Sequence, residues 1–185
     1  MFNPGDVLLY EAPAWQFKNF FAKCIQLIQG NDVIHVALYL KPSGSNHIIL
    51  EALTDGVKIK TMSTNELRNR SNGFVLFGTS RLKENSSCFD AGMVFIDSFV
   101  YNGRSYGFLT DFNLFLQHGK TKLFKKLPWT VWFHSKDKYI CSEVTQLVLE
   151  SVLEYNLKPN PFPKKACLTE PDDYLNENIW SVSRF

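Results

Sequence analysis

The stretch VIHVALYLKPSGSNHIILEALTDGVKIK, Val33 to Lys60, decides the fold. Ile34, Val36, Leu38 and Leu40 recur at every second position, and His35, Ala37 and Tyr39 fill the positions between. That two-residue period is a strand, expected over Val33–Leu40. Lys41-Pro42-Ser43-Gly44-Ser45 carries turn residues, and His47–Leu53 reads as the returning strand. Asp55-Gly56 is a second hairpin signal, ahead of the alternating Val57-Lys58-Ile59-Lys60. Strands joined by such short turns pair antiparallel. With Lys41–Ser45 as a five-residue loop, Leu40 pairs with Asn46, and His35 then falls directly opposite Glu51 on one face of the sheet.

Working outward, Asn3-Pro4-Gly5-Asp6 is a turn before a short apolar strand, Val7 to Tyr10. Ala14 to Gln29 has the spacing of a helix: Phe17, Phe20, Phe21, Cys24, Ile25 and Ile28 form a stripe, and Gly30 suits the residue after its end. A helical turn is expected over Ser63–Arg70 and a strand over Gly73–Thr79. Ser86 or Ser87 is expected to cap another helix, with Asp90 in its first turn and Gly103 near its end. Cys141 to about Tyr155 is an amphipathic helix, with Val144, Leu147, Val148 and Val152 on its buried stripe. The Pro-rich tail from Lys158 is expected to wrap the surface. Helices and consecutive antiparallel strands together make an α+β fold. At 185 residues, with no repeat and no low-complexity tract, the chain suits one domain spanning 1–185.

Composition removes several classes of function. Hydrophobic residues make up 45% and charged residues 21%, which excludes wholesale disorder. Lys+Arg total 20 and Asp+Glu 18, a net charge of +2 that argues against a general nucleic-acid binder. No apolar run is long enough to cross a bilayer, and the N-terminus lacks the basic and small-residue pattern of a secretory signal. The expected compartment is therefore the cytoplasm. The four cysteines, Cys24, Cys88, Cys141 and Cys167, have neither CxxC nor zinc-ribbon spacing and read as free thiols in a reducing environment. Without HExxH or paired CxxC no metal site is expected, and without G-x-S-x-G no serine nucleophile.

The chemistry concentrates at Tyr139-Ile140-Cys141-Ser142-Glu143. A cysteine where an extended segment hands over to a helix faces the positive end of the macrodipole, which favours the nucleophilic thiolate. A buried structural cysteine at a helix start has equal claim from this pattern alone. A thiol nucleophile needs a base, and the candidates are His35, His47, His118 and His134. His35 is the best placed, mid-strand beside the small Ala37 and opposite Glu51, whose carboxylate would set the ring's tautomer. The competing reading is a cross-strand pair without a catalytic task. Against it, Glu51 stands alone in the apolar run Ile48-Ile49-Leu50-Glu51-Ala52-Leu53.

Gly5-Asp6-Val7-Leu8, Ile34-His35-Val36-Ala37-Leu38-Tyr39, Leu50-Glu51-Ala52 and Ile140-Cys141-Ser142-Glu143-Val144, in that order, resemble the circularly permuted papain-like hydrolases of the NlpC-type superfamily, most of all the YiiX/YebB-like branch. Thr169-Glu170-Pro171-Asp172-Asp173-Tyr174 resembles that family's closing motif, with one residue displaced. The resemblance spans nearly the whole chain. It implies an antiparallel sheet packed on a nucleophile-bearing helix, Cys141 as nucleophile, His35 as base and Glu51 as the residue orienting it. Gly103-Arg104-Ser105-Tyr106 matches the small turn and tyrosine ahead of the cysteine, which implies Tyr106 as an oxyanion donor; the spacer from Tyr106 to Cys141 is longer than the compact family form needs. No cofactor is implied, and the expected target is an amide bond in peptidoglycan or a related peptide-like substrate.

The lecithin:retinol acyltransferase group shares a similar permuted start and acts on lipid esters, which makes a lipid acyl hydrolase or acyltransferase the alternative. An inactive ligand-binding module on the same fold is a third reading. The spacer holds Phe108, Phe112, Phe115, Phe124, Trp129, Trp132 and Phe133 with Lys120, Lys122, Lys125 and Lys126. Read functionally, it is a lid or a surface meeting lipid. Its poor helical periodicity favours an elaborated core segment instead.

Overall fold

The computed structural model describes residues 2–12, 33–106, 138–166 and 169–185. The expected helix Ala14–Gln29, most of the aromatic spacer, and Cys24, Cys167, His118 and His134 lie outside the described residues.

The described chain is α+β. Its strands are β1 (Val7–Glu11), β2 (His35–Ser43), β3 (Asn46–Leu53), β4 (Gly56–Ser63), β5 (Val75–Leu82) and β8 (Trp180–Arg184), in one sheet of order β4-β3-β2-β1-β5-β8. Every neighbouring pair in it is antiparallel. A separate two-residue parallel pair joins β6 (Ser105–Tyr106) to β7 (Lys138–Tyr139). The helices are α1 (Thr64–Arg68), α2 (Ala91–Phe99) and α3 (Cys141–Tyr155).

Both faces of the central strands are buried, which is why Val7-Leu8-Leu9-Tyr10 reads as unbroken apolar residues. On one face Val7, Leu9, Val36, Leu38, Leu50 and Ala52 pack with Val94 of α2 and Val144, Val148 and Val152 of α3. On the other face Leu8, Tyr10, Ala37, Tyr39, Ile49 and Leu76 pack with Leu67 of α1. Each fully buried aliphatic side chain contributes on the order of 2 kcal/mol. Helix α1 carries a full capping box: the Ser63 hydroxyl accepts from the Glu66 amide while the Glu66 carboxylate accepts from the Ser63 amide.

The hairpin differs from the expected one. Strand β2 runs on to Ser43, which pairs with Asn46, so the turn is Gly44-Ser45, and Gly44 takes the φ of 62° that a two-residue hairpin turn requires. A bulge at Leu40 makes up the difference: Tyr39 pairs with Ile49, but Lys41 pairs with Ile48. The five-residue loop would have set Leu38 opposite Ile48; it lies opposite Leu50. The offset of two residues leaves every side chain on its expected face.

Two further expectations are corrected. Helix α2 is capped by Asp90, whose carboxylate accepts from the Gly92 amide at 2.8 Å, and Ser86–Cys88 is a separate 3-10 turn. The helix ends at Phe99, and Gly103 lies in the turn beyond. That turn covers the outer edge of β4: Val57 donates to Arg104 O and accepts from Gly103 N, both at 2.8 Å. The tail does not simply wrap the surface. Its residues Trp180–Arg184 extend the sheet beside β5, and Tyr174 and Trp180 are buried with ring centroids 5.0 Å apart.

Gly5 has φ 84°, and a Cβ there would stand 2.7 Å from Phe89 Cγ. Gly5→Ala is expected to cost about 2–4 kcal/mol, from left-handed backbone strain plus overpacking, measured by denaturant unfolding.

Candidate active site

Cys141 is the first residue of α3. It follows an extended Ile140 that provides no side-chain cap, so the first amides of the helix have no intrahelical acceptors. Cys141 is 4% exposed and belongs to the core cluster on the α3 side of the sheet. The tail locks this helical turn in place. Ser142 Oγ donates to Thr169 O at 2.5 Å, and Tyr174 OH donates to Ser142 O at 2.8 Å. Thr169 Oγ1 donates to Gln146 Oε1, and Gln146 Nε2 donates to Lys164 O at 2.8 Å. The Thr169–Tyr174 motif therefore has a structural reason: it fixes the turn that carries Cys141.

His35 is the first residue of β2, buried on the opposite face between the rings of Tyr10 and Phe74, with centroids 5.7 and 5.5 Å away. Its Nε2 is 3.4 Å from Glu51 Oε2. The pair is diagonal rather than directly opposed, because the register level with His35 falls at Leu53; a diagonal neighbour on the same face remains within reach of a long side chain. With Nε2 turned to Glu51, Nδ1 is the ring nitrogen left for a thiol. Burial alone would lower the pKa of His35. The charge and hydrogen bonding of Cys141, followed by those of Glu51, outweigh burial and raise it to about 9.

Glu51 has no exposed side-chain surface. Burial would raise its pKa, yet His35, Arg70 and Lys60 hold it well below the usual carboxylate range. Arg70 Nη2 donates to both carboxylate oxygens, and Lys60 Nζ lies 2.8 Å from Oε1. The other guanidinium nitrogen, Nη1, is 2.6 Å from Met62 Sδ, and the group sits 5.5 Å from the centre of the Tyr10 ring. Arg70 and Lys60 were not among the expected site residues. Lys60 was visible as an outward position of an alternating strand, but nothing in the sequence marked Arg70 as reaching across to Glu51.

The structure thus brings Cys141, His35 and Glu51 together. Tyr106 pairs in register with Tyr139, two residues before Cys141, and is half-buried against the large core cluster to which Cys141 belongs. His47 lies apart, with Nδ1 3.3 Å from Tyr39 OH and Nε2 3.0 Å from Thr64 Oγ1. Among the described residues, one group of carboxylates could approach a cation together: Glu170, Asp172 and Asp173, with ligand oxygens within 4.8 Å of one another. Lys164 already serves it, its Nζ lying 2.7 Å from Asp173 Oδ1. Cys88 and Cys141 are free thiols, and no described helix is long and apolar enough to cross a membrane.

No protein-family model and no curated protein matches the chain. Among solved structures it is similar to the crystal structure of metalloprotein yiiX from Escherichia coli O157:H7, at 18% identity and a TM-score of 0.49, over 82% of this chain and 67% of that one. At that distance the chemistry has to be read from this chain's own residues.

Two outcomes follow from the geometry. Arg70→Met removes the guanidinium that engages both oxygens of the buried Glu51, leaving it Lys60 and His35, and is expected to cost about 2–3 kcal/mol in denaturant unfolding, much of it recovered in the double variant with Glu51→Leu. In Cys141→Ala the His35 pKa, followed by NMR of the ring, is expected to fall steeply from about 9, because the leading cause of its elevation is gone while burial remains.

Proposed function

We propose that this chain is a thiol hydrolase of the permuted papain-like type, acting on an amide in a peptide-like substrate. The observation that carries the reading is a buried cysteine at a helix N-terminus that interacts with a buried histidine, whose Nε2 faces a carboxylate held well below its usual range.

In this reading Cys141 Sγ, as thiolate, attacks the acyl carbon, and protonated His35 donates its proton to the departing amine as the carbon–nitrogen bond breaks. The thioester that remains is attacked by water, with His35 now accepting the proton, and Cys141 leaves as thiolate while the acid is released. Glu51 holds Nε2 and stabilises the charged ring in both halves. In the same reading the developing oxyanion is met by the Cys141 amide and by Tyr106, whose strand pairs with Lys138–Tyr139 just ahead of Cys141 in the chain. The peptidoglycan-type substrate is taken from the family resemblance. One observation favours the second reading, action on lipid acyl groups. The water-facing side of α2 and the residue that follows it are apolar, with Ile96 67%, Phe99 55% and Val100 63% exposed. Fatty acid release from phospholipid vesicles, in place of amine release from cell-wall fragments, would select it.

The test is alkylation of the cysteines against pH, read residue by residue in a mass spectrometer. Cys141 is expected to react ahead of Cys88, and to slow at least tenfold in His35→Ala with the fold retained. Equal rates at the two cysteines would overturn the proposal. Turnover needs the proton on His35, so kcat/KM is expected to fall as pH rises through about 9.

A further inference from the structure

The sheet has two edges, and the fold treats them differently. At the β4 edge the turn after α2 takes up outward backbone groups: Val57 bonds to Gly103 and Arg104, and the Ile59 amide donates to Asn102 Oδ1 at 3.0 Å. The other edge is β8, and no described strand pairs with its outer side. The bonds from Lys83 N to Ile179 O and from Phe185 N to Phe77 O fix which way its backbone faces. Because the register on β5 is unbroken, Ser181 and Ser183 turn their amides and carbonyls toward β5, and Trp180, Val182 and Arg184 turn theirs outward. Asn176 O accepts from the Trp180 amide at 2.9 Å. The Val182 and Arg184 amides, and the carbonyls of all three outward residues, have no partner among the described residues.

An edge of this kind is a template for another strand, and β8 lacks the usual guards of proline, lysine or a bulge. It is also accessible: Ser181, Ser183 and Arg184 are exposed, and Phe185 is 70% exposed. The sequence says which strand fits. Trp180-Ser181-Val182-Ser183-Arg184 is close to symmetric about Val182. Laid antiparallel on a second copy, with a two-fold axis at Val182, it sets Val182 against Val182 and Ser181 against Ser183. The two Val182 residues exchange both bonds across the axis, and each Arg184 amide donates to the Trp180 carbonyl of the other copy. Valine meets valine on the α3 side of the sheet, hydroxyl meets hydroxyl on the other, and Arg184 lies opposite Trp180. An axis one residue further along, at Ser183, would make the two Arg184 side chains diagonal neighbours of like charge.

We propose that the chain forms a two-fold dimer by pairing β8 with β8 of a second copy, so that the six-stranded sheet runs on from one copy into the other. This is independent of the thiol-hydrolase reading.

The experiment is sedimentation equilibrium of the full chain, which is expected to show a reversible monomer–dimer equilibrium. Val182→Pro removes an outward amide that β5 does not use, so the edge strand keeps its inner bonds. It is expected to raise the dimer dissociation constant by about tenfold or more, since both bonds donated across the axis are lost. Should Val182→Pro not fold, Val182→Cys serves. Mild oxidation is expected to join position 182 of one copy to position 182 of the other, identified as the linked peptide by mass spectrometry, because directly paired Cα atoms lie about 5.5 Å apart, within disulfide reach. Ser181→Cys is expected to link to itself far more slowly, since position 181 faces position 183. A chain that stays monomeric at every concentration overturns the proposal and leaves the edge to a strand from another protein. A dimer that Val182→Pro does not weaken, or that links through Ser181→Cys as fast as through Val182→Cys, overturns the pairing of β8 with itself.

Discussion

A carboxylate with no exposed surface has to be kept charged or be neutralised, and the candidate site is organised around how Glu51 meets that constraint. Burial pushes it toward the neutral acid, while Arg70, Lys60 and His35 together push the other way and prevail. The consequences spread through the fold. Arg70 must be delivered to the middle of the sheet, so the chain after β4 turns through α1 and closes onto β5 by the bond from Arg70 N to Phe74 O. Phe74 in turn flanks the ring of His35. The same segment supplies the guanidinium that holds the carboxylate and a wall that holds the imidazole.

Cysteine and histidine belong to opposite faces of the sheet, and they meet because each begins its element. His35 opens β2 on the side of Tyr10 and Phe74; Cys141 opens α3, which packs on the other side. Only at the end of a strand can groups from the two faces approach without crossing the backbone. Strand and helix must therefore hold their relative heights closely. On the helix side this is the task of the tail, whose Thr169 and Tyr174 bond to the first turn of α3 while Trp180 anchors β8 on β5.

The electrostatics give the pair a mutual character. Cys141 outranks Glu51 among the groups that raise the His35 pKa. Glu51 in turn is held low by His35 first, then by Arg70 and Lys60. Glu51 faces Nε2 of the ring, and Cys141 does more than Glu51 to raise its pKa.

Alternation along 33–60 is enough to define three antiparallel strands and to put His35 and Glu51 on one face, because a strand's period of two is local and survives an error of two residues in register. The apolar stripe beginning at Cys141 likewise defines α3 and puts a thiol at its N-terminus. The turn length, the bulge at Leu40 and the diagonal approach of His35 to Glu51 were not legible, since a bulge depends on how two strands twist against each other. Asp90 took the capping role expected of Ser86 or Ser87, where neighbouring polar residues offer competing caps. The tail strand Trp180–Arg184 was hidden because five residues with alternating serines become a strand only when β5 offers an open edge. Arg70 and Lys60 joined the site for the same kind of reason. Long side chains find their partners across elements, and only the packed sheet, with α1 laid over one face, determines that both end on a single carboxylate.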